Sequence, residues 1–360
     1  MNWEQNRYGY VSEADWLDIG WNVERPNDPI ADLFTDRRTD NLMAEWETVA
    51  AQYQISQMAM YHAFDVEAQQ ISRIPITTHN VEKGLIKAKL NQSERLRALE
   101  NRGVKETDRL YRSVMSDGVV LADSVITRTY AAKNELMASG QVTIHENNLN
   151  LTVDYGVPAA QTAFTLDLAT TADLDAQLQA IVDAAKDAGV TITGMMTRSK
   201  NISKMRRNAG LQTNINGNVG AGALIRSTAL RDYLSEEYGI NRIITNDQTY
   251  RIPDGIDESG EINWKMIDYF PGDKVTFFAT NATGKMGVGL WGDPPELDLR
   301  GRGATVNASG ESPYVFVTQY AENDPAVLWT KASALFMPVL FNPNSLFIST
   351  TTDSLETEGA

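Results

Sequence analysis

The chain has 360 residues, 42% of them hydrophobic and 22% charged, with 47 acidic against 32 basic side chains, a formal net charge of −15 and no cysteine. That composition excludes a disordered chain, a disulfide framework and a thiolate metal site. The acidic balance argues against a broad surface that grips nucleic acid, which needs clustered Lys and Arg, and the length predicts two or three domains.

No window approaches the roughly 18 apolar residues that a membrane helix needs. The start MNWEQNRYGYVSEADW lacks the basic and apolar regions of a secretion signal, so the expectation is a protein that stays where it is made. Residues 1–64 set Trp3, Trp16, Trp21 and Trp46 among scattered carboxylates, interrupted by Pro26 and Pro29. Large aromatics with so little core around them predict an arm that packs on something else. An N-terminal lobe folded back on its own chain is the competing reading. Asp40–Trp46 reads as a possible helix start.

Between Phe64 and Gly103, β-like runs at Ile71–Thr77 and Gly84–Leu90 flank a polar middle, Thr78-His79-Asn80. The pattern predicts an extended two-stranded excursion, marginal on its own and braced by a neighbour. It is equally compatible with an edge hairpin packed inside its own domain.

The organising stretch is Ser116–Pro158. Val119, Leu121, Ala122, Val125, Ile126, Tyr130, Ala132, Leu136 and Met137 share one helical arc, and Asp123, Ser124, Thr127, Arg128, Asn134 and Glu135 fall opposite. Ser116 or Asp117 can cap the start and Gly140 the stop, giving a helix about 35 Å long. The period then shortens to two at Val142, Ile144, Leu149, Leu151 and Val153, with turn residues His145-Glu146-Asn147-Asn148 between, which predicts a hairpin.

Beyond Ala163, Leu174, Leu178, Ile181, Val182 and Ala185 define a helix capped by Thr170 or Thr171 and stopped at Gly189, followed by a strand at Val190–Thr197. Arg198, Lys200, Lys204, Arg206 and Arg207 form the one basic cluster. Without interleaved aromatics it reads as a solvated helix face or a contact with a neighbour's carboxylates rather than a nucleic-acid site. A helix is expected over Arg226–Tyr238, ended by Gly239, then a strand at Arg242–Thr245. Strands at Lys274–Thr280 and Lys285–Trp291 read as a hairpin around Asn281–Gly284. From Thr305 the chain returns as strands broken at Asp324-Pro325, Pro338 and Pro343.

Chemistry-bearing motifs are missing. His62, His79 and His145 lack ligand spacing, and there is no G-x-S-x-G, H-E-x-x-H or P-loop. Gly217, Gly220 and Gly222 break the dinucleotide order, and Asn214–Gly222 reads as a mobile loop. No catalytic, cofactor-binding or metal-ligating residue is expected, and no cofactor. With so many carboxylates, an α+β enzyme using two of them stays open as a rival reading.

TRTYAAKNELMASGQVTIHENNLNLTVDYGVP resembles the stretch of tailed-phage major capsid proteins of the lambda type, the E family, in which a long helix ends in a glycine turn followed by strands and an Asp-Tyr-Gly or Asp-Phe-Gly motif; here that motif is Asp154-Tyr155-Gly156. AFDVEAQQISRIP is similar to the family's entry into its extended loop, INRIITNDQTYR and KMGVGLWGDPPELD to its later strands, and YVFVTQYAENDPAVLWTKASALFMPVLFNPNSLFIS to its C-terminal return. The resemblance implies an α+β fold of the Hong Kong 97 type. Its parts would be an N-terminal arm (1–64), an extended loop (65–105), a peripheral domain (106–171) with a spine helix at 117–139, an axial domain (172–303) and C-terminal strands (304–360) rejoining the peripheral domain.

The implied function is self-assembly, as hexamers and pentamers, into an icosahedral shell around double-stranded DNA held without sequence-specific contacts. Scaffolding, portal and decoration proteins are the implied partners, with no membrane. The implied location is the virion, after assembly in the host cytoplasm. Lys83, Lys87 and Lys89 fall in the implied loop, yet cross-linking is not expected of the lambda type. An encapsulin-like compartment of the same fold is the nearest alternative.

Overall fold

The computed structural model describes residues 28–48, 77–92, 107–146, 149–217, 222–256, 262–295, 303–306, 315–323 and 326–352. Its longest element is helix α1 (Thr107–Ser139), whose 33 residues extend about 50 Å at 1.5 Å per residue. The helix starts at Thr107 rather than at Asp117, because Ser116-Asp117-Gly118, which reads as a cap, lies inside it. An isolated glycine costs a helix interior only about 1 kcal/mol, less than interrupting a continuous rod. The stop at Gly140 holds: its φ is 73° and its N–H donates to the Leu136 carbonyl at 2.8 Å. A Cβ there would come within 2.7 Å of Val157 Cγ2, so both the dihedral and the space require glycine.

Two sheets flank this helix. The first is six-stranded: β1 (Phe34–Arg38), β13 (Gly287–Gly292), β16 (Ala326–Leu340), β15 (Val315–Asn323) and β14 (Gly303–Val306) in that order, with β4 (Gly84–Gln92) on the other side of β16. The second, five-stranded, runs β7 (Phe164–Asp167), β17 (Leu346–Thr352), β12 (Lys274–Phe278), β8 (Gly194–Thr197) and β9 (Arg242–Thr245). Three two-stranded pairs stand apart: β2 (Met43–Thr48) with β3 (Thr77–Glu82), β5 (Gln141–Glu146) with β6 (Leu149–Asp154), and β10 (Thr249–Ile256) with β11 (Ile262–Asp268).

The first core joins α1 to the six-stranded sheet through Val125, Leu136, Met137, Ala332, Ala334 and Leu340, none more than 1% exposed. Fully burying a side chain of Val or Leu size is worth about 1.5–3 kcal/mol. The second core packs α3 (Leu174–Asp187) and α6 (Ser227–Tyr238) on the five-stranded sheet through Leu174, Leu178, Ile181, Leu230 and Leu234. The cap of α3 is Asp173, which accepts from Ala176 N at 3.1 Å, instead of Thr170 or Thr171. Gly239 ends α6 at φ 72°.

Several expectations are corrected by the pairing. Asp40–Trp46 opens no helix; Ala44 and Trp46 are buried while Glu45 and Glu47 are exposed, the two-residue period of a strand. Of the run at 71–77 only Thr77 is described, and it pairs with Thr48, while the run at 84–90 pairs elsewhere. The polar middle Thr78-His79-Asn80 is itself the strand β3, which pairs with β2, whereas β4 runs antiparallel to β16 from Gly84 opposite Phe336 to Gln92 opposite Leu328. Residues 77–92 therefore belong to the body of the subunit, and 65–76 and 93–105 lie outside the described residues.

Strands β12 and β13 form no hairpin either. The Asn281 turn closes as read, with Asn281 Oδ1 accepting from Thr283 N and Lys285 N, but the strands diverge into different sheets. Finally, 304–360 does not return as one unit: β14, β15 and β16 lie in the sheet beside α1, and β17 crosses to the other. Pro338 sits within β16 opposite Gly289 instead of ending it.

Candidate functional site

The most enclosed part of the fold is the C-terminal half of α1. Residues Tyr130 to Ala138 are buried apart from a partly exposed Glu135, so amphipathicity gives way to a helix enclosed on both sides. Its buried polar groups are connectors. Lys133, 2% exposed at its side chain, pairs with Asp36 of β1 at 3.0 Å. Asn134 donates to the Tyr130 carbonyl and accepts from Asn246 Nδ2, both at 2.8 Å. Thr276 of β12 donates to the Met137 carbonyl at 2.8 Å. One turn and a half of helix thus ties the segment before β2 and both sheets together.

Asp28 lies beside this pair. Its Oδ1 accepts from Ile30 N at 3.0 Å, while its Oδ2 is buried without a hydrogen-bond partner. Burial pushes its carboxyl above the ordinary carboxylate range, with Lys133 pulling the other way and Asp36 and Asp32 adding to the rise. A carboxyl raised in the folded state binds more protons folded than unfolded, so its contribution to stability falls as pH rises from the unfolded value, about 3.9, through the folded one. Asp28→Asn keeps the acceptor at Oδ1 and removes the charge. In melts taken between pH 4 and 7, the variant is expected to gain on the wild type as pH rises; a difference that shrinks with pH would contradict this.

The Asp154-Tyr155-Gly156 motif is a structural anchor. Asp154 Oδ1 accepts from Gly156 N at 2.9 Å, Gly156 takes φ 75°, and Tyr155, 1% exposed, donates its hydroxyl to the Pro338 carbonyl. The Tyr155 ring also lies 5.2 Å from that of Trp46, which stacks on His79 at 5.4 Å. The motif locks the exit of the β5–β6 hairpin onto β16 and the β2–β3 pair. Burial raises the Tyr155 hydroxyl's pKa, so it stays a donor. Tyr155→Phe leaves the Pro338 carbonyl buried and unpaired, with an expected loss of about 1–3 kcal/mol in chemical denaturation; an unchanged midpoint would exclude the anchor.

Lysine 83 was expected in a projecting loop and is instead 2% exposed. Its Nζ donates to Thr39 O at 3.0 Å, Thr39 Oγ1 at 3.2 Å, Asn41 O and Trp291 O at 3.4 Å. The ammonium is committed to stapling the β1–β2 connection to β13. Burial lowers its pKa, opposed by Asp293 and Asp40. Lys87 is exposed, and Lys89 lies over the Trp329 ring at 4.1 Å. Lys87 and Lys89 alternate along β4 with the part-buried Ile86 and Ala88, and nothing in the sequence distinguishes Lys83 from them.

The basic cluster disperses. Arg198 pairs with Asp268 and lies 3.6 Å from Asp247, and Arg206 Nε donates to the Ile225 carbonyl at 2.7 Å; Lys200 and Arg207 are exposed. Gly217 ends α5 (Ala209–Asn216) at φ 72°, and 218–221 lie outside the described residues. His79 Nε2 is 2.9 Å from Thr48 Oγ1, His145 is exposed on β5, and His62 lies outside the described residues. Among the described residues no group of three His, Cys, Asp or Glu side chains could hold a metal, and no helix is long and apolar enough to cross a membrane.

The model of the phage major capsid protein E family matches residues 25–351. The chain belongs to this family. It is a major capsid protein, a subunit of the phage head shell, and the fold is of the Hong Kong 97 type. Solved structures agree on the fold at low identity. A prophage protein of Escherichia coli CFT073, described as a capsid protein, has a TM-score of 0.55 at 12% identity, covering 95% of this chain and 99% of its own. A phage-related protein of Bordetella bronchiseptica RB50 has a TM-score of 0.51 at 13% identity, over 95% and 97% of the two chains. A chain of Mycobacterium phage Adephagia has 0.50 at 9%, over 92% of each. No curated protein sequence matches the chain. A family of shell proteins places this one in the virion and makes its main partner another copy of itself.

Proposed function

We propose that this capsid subunit forms rings of five and six that close around double-stranded DNA, with α1 and the six-stranded sheet as the peripheral domain. The five-stranded sheet with α3, α5 and α6 then serves as the axial domain. One sequence that must occupy two kinds of ring needs a part that keeps its shape, and the enclosed, cross-tied α1 supplies it. An acidic inner wall that does not bind phosphate suits filling and release of a genome. Scaffolding, portal and decoration proteins are expected partners, and the host cytoplasm is the expected place of assembly.

The β2–β3 pair is the proposed stem of the extended loop. Thr48 and Thr77 are cross-strand partners, so the chain departs from and returns to one point of the subunit across that interval. This is the observation that carries the reading: an excursion on a two-stranded stem can reach a neighbour without disturbing the core. The chain has no cysteine, so a single His62→Cys substitution gives one defined thiol. Cross-linking it in assembled particles with an amine-reactive partner group is expected to join different copies, shown by pairs of mixed isotope label; links confined to one copy would refute the loop. Nuclease treatment of particles from infected cells tests the cargo. A protected genome-length DNA is the expected result, whereas protein cargo without DNA would favour the encapsulin-like alternative.

A further inference from the structure

The β10–β11 pair is hydrogen-bonded to neither sheet. One face is seated on the subunit: Tyr250 and Ile267 line a groove of about 500 Å³ against Arg128, Ala131 and Glu135 of α1, and Tyr250 packs on Tyr269 at 4.8 Å between ring centroids. The register puts Arg251 opposite Met266 and Pro253 opposite Trp264, so these residues share the other face. That face is open. Ile262 is 51% exposed, Trp264 49% and Met266 64%, and the Arg251 guanidinium sits 4.5 Å from the Trp264 ring centre.

Two-stranded hairpins are marginal in water, and a strand with an aromatic, a methionine and a β-branched residue all turned outward is costly to leave uncovered. Tryptophan and arginine are also the residue types that carry most binding energy where interfaces are measured. Tyr250 and Ile267 hold the inner face against α1, and among the described residues nothing covers the outer one. The charge pattern selects the occupant. Asp268, at the base of the same face, is already paired with Arg198, which leaves Arg251 as the face's cation on a chain of net charge −15. Another copy offers carboxylates to that guanidinium alongside apolar contact.

We propose that the outer face of β10–β11 is a contact between copies, in which Trp264, Met266 and Arg251 dock on an acidic, apolar-bearing surface of a second copy of this chain. The proposal rests on the shell assignment and adds a specific surface to it. The test compares unassembled subunits with particles grown from the purified wild-type chain, so the particles themselves report on shell formation and the labelling within them reports on docking. Hydroxyl-radical oxidation of Trp264 and Met266 is expected to slow several-fold on assembly, while oxidation of exposed groups elsewhere on the subunit, such as Leu224, is unchanged. The double variant Trp264→Ser, Met266→Ser is expected to melt as the wild type does and to give several-fold fewer particles. Equal oxidation in subunit and particle would overturn the proposal, as would wild-type particle yield from the variant, or protection that arises only when a different protein is added.

Discussion

Ile126→Asp is expected to abolish the folded subunit. Ile126 is 4% exposed within the core that joins α1 to the six-stranded sheet. Lys133, the buried cation of the same helix, is already committed to Asp36 and is not free to pair with an aspartate there. Burying an unpaired carboxylate costs several kcal/mol, against a total stability of about 5–15 kcal/mol for a domain. Soluble yield and a melt followed by circular dichroism read the effect, with Ile126→Val as the control expected to lose only about 1 kcal/mol. Wild-type yield and particles from Ile126→Asp would mean that α1 is not the buried frame described here.

Deleting residues 49–76 and closing the gap with an Asn-Gly turn is expected to separate folding from assembly. Thr48 and Thr77 already face each other across the β2–β3 pair, so a two-residue turn can join the strands without moving them. The shortened chain should melt within a few degrees of the wild type, sediment as a small species and form no closed shells. Removing 84–92 instead should unfold the subunit, because β4 pairs with β16 along nine residues and Ala88 and Ile86 pack on the core. Normal shells from the first deletion, or a stable fold from the second, would reverse the assignment of loop and body.

These two experiments differ because the sequence hid the boundary between loop and body. Helix α1, its stop at Gly140 and the hairpin after it were legible, since a 3.6-residue period gave way to a period of two across one glycine. The strand at Met43–Thr48 misreads as a helix start, because Asp40 and Asn41 resemble caps, although Ala44 and Trp46 alternate with Glu45 and Glu47. Pairing was not legible. Strands β3 and β4 are separated only by Lys83, an arrangement that reads as one extended excursion, yet each finds a partner far away in the chain. Local pattern fixes that a residue is in a strand, and only long-range packing chooses the neighbour.

The connecting residues were hidden for the same reason. Lys83, Lys133, Asn134 and Thr276 are polar and would be placed on a surface by composition. Their burial becomes sensible only when β1, β13 and the Asn246 segment are brought round them. The motif Asp154-Tyr155-Gly156 shows the opposite case: its order in the sequence carried the family resemblance, and its geometry explains why those residue types are needed, one to hold the turn, one to reach Pro338 and one to adopt a positive φ.

Electron microscopy of the purified wild-type protein under assembly conditions tests most directly whether the rigid, cross-tied subunit builds a closed container. Shells of icosahedral symmetry made of this chain alone, with five-fold and six-fold rings in one particle, are the expected result. A protein that stays a monodisperse monomer at every concentration and salt would contradict it.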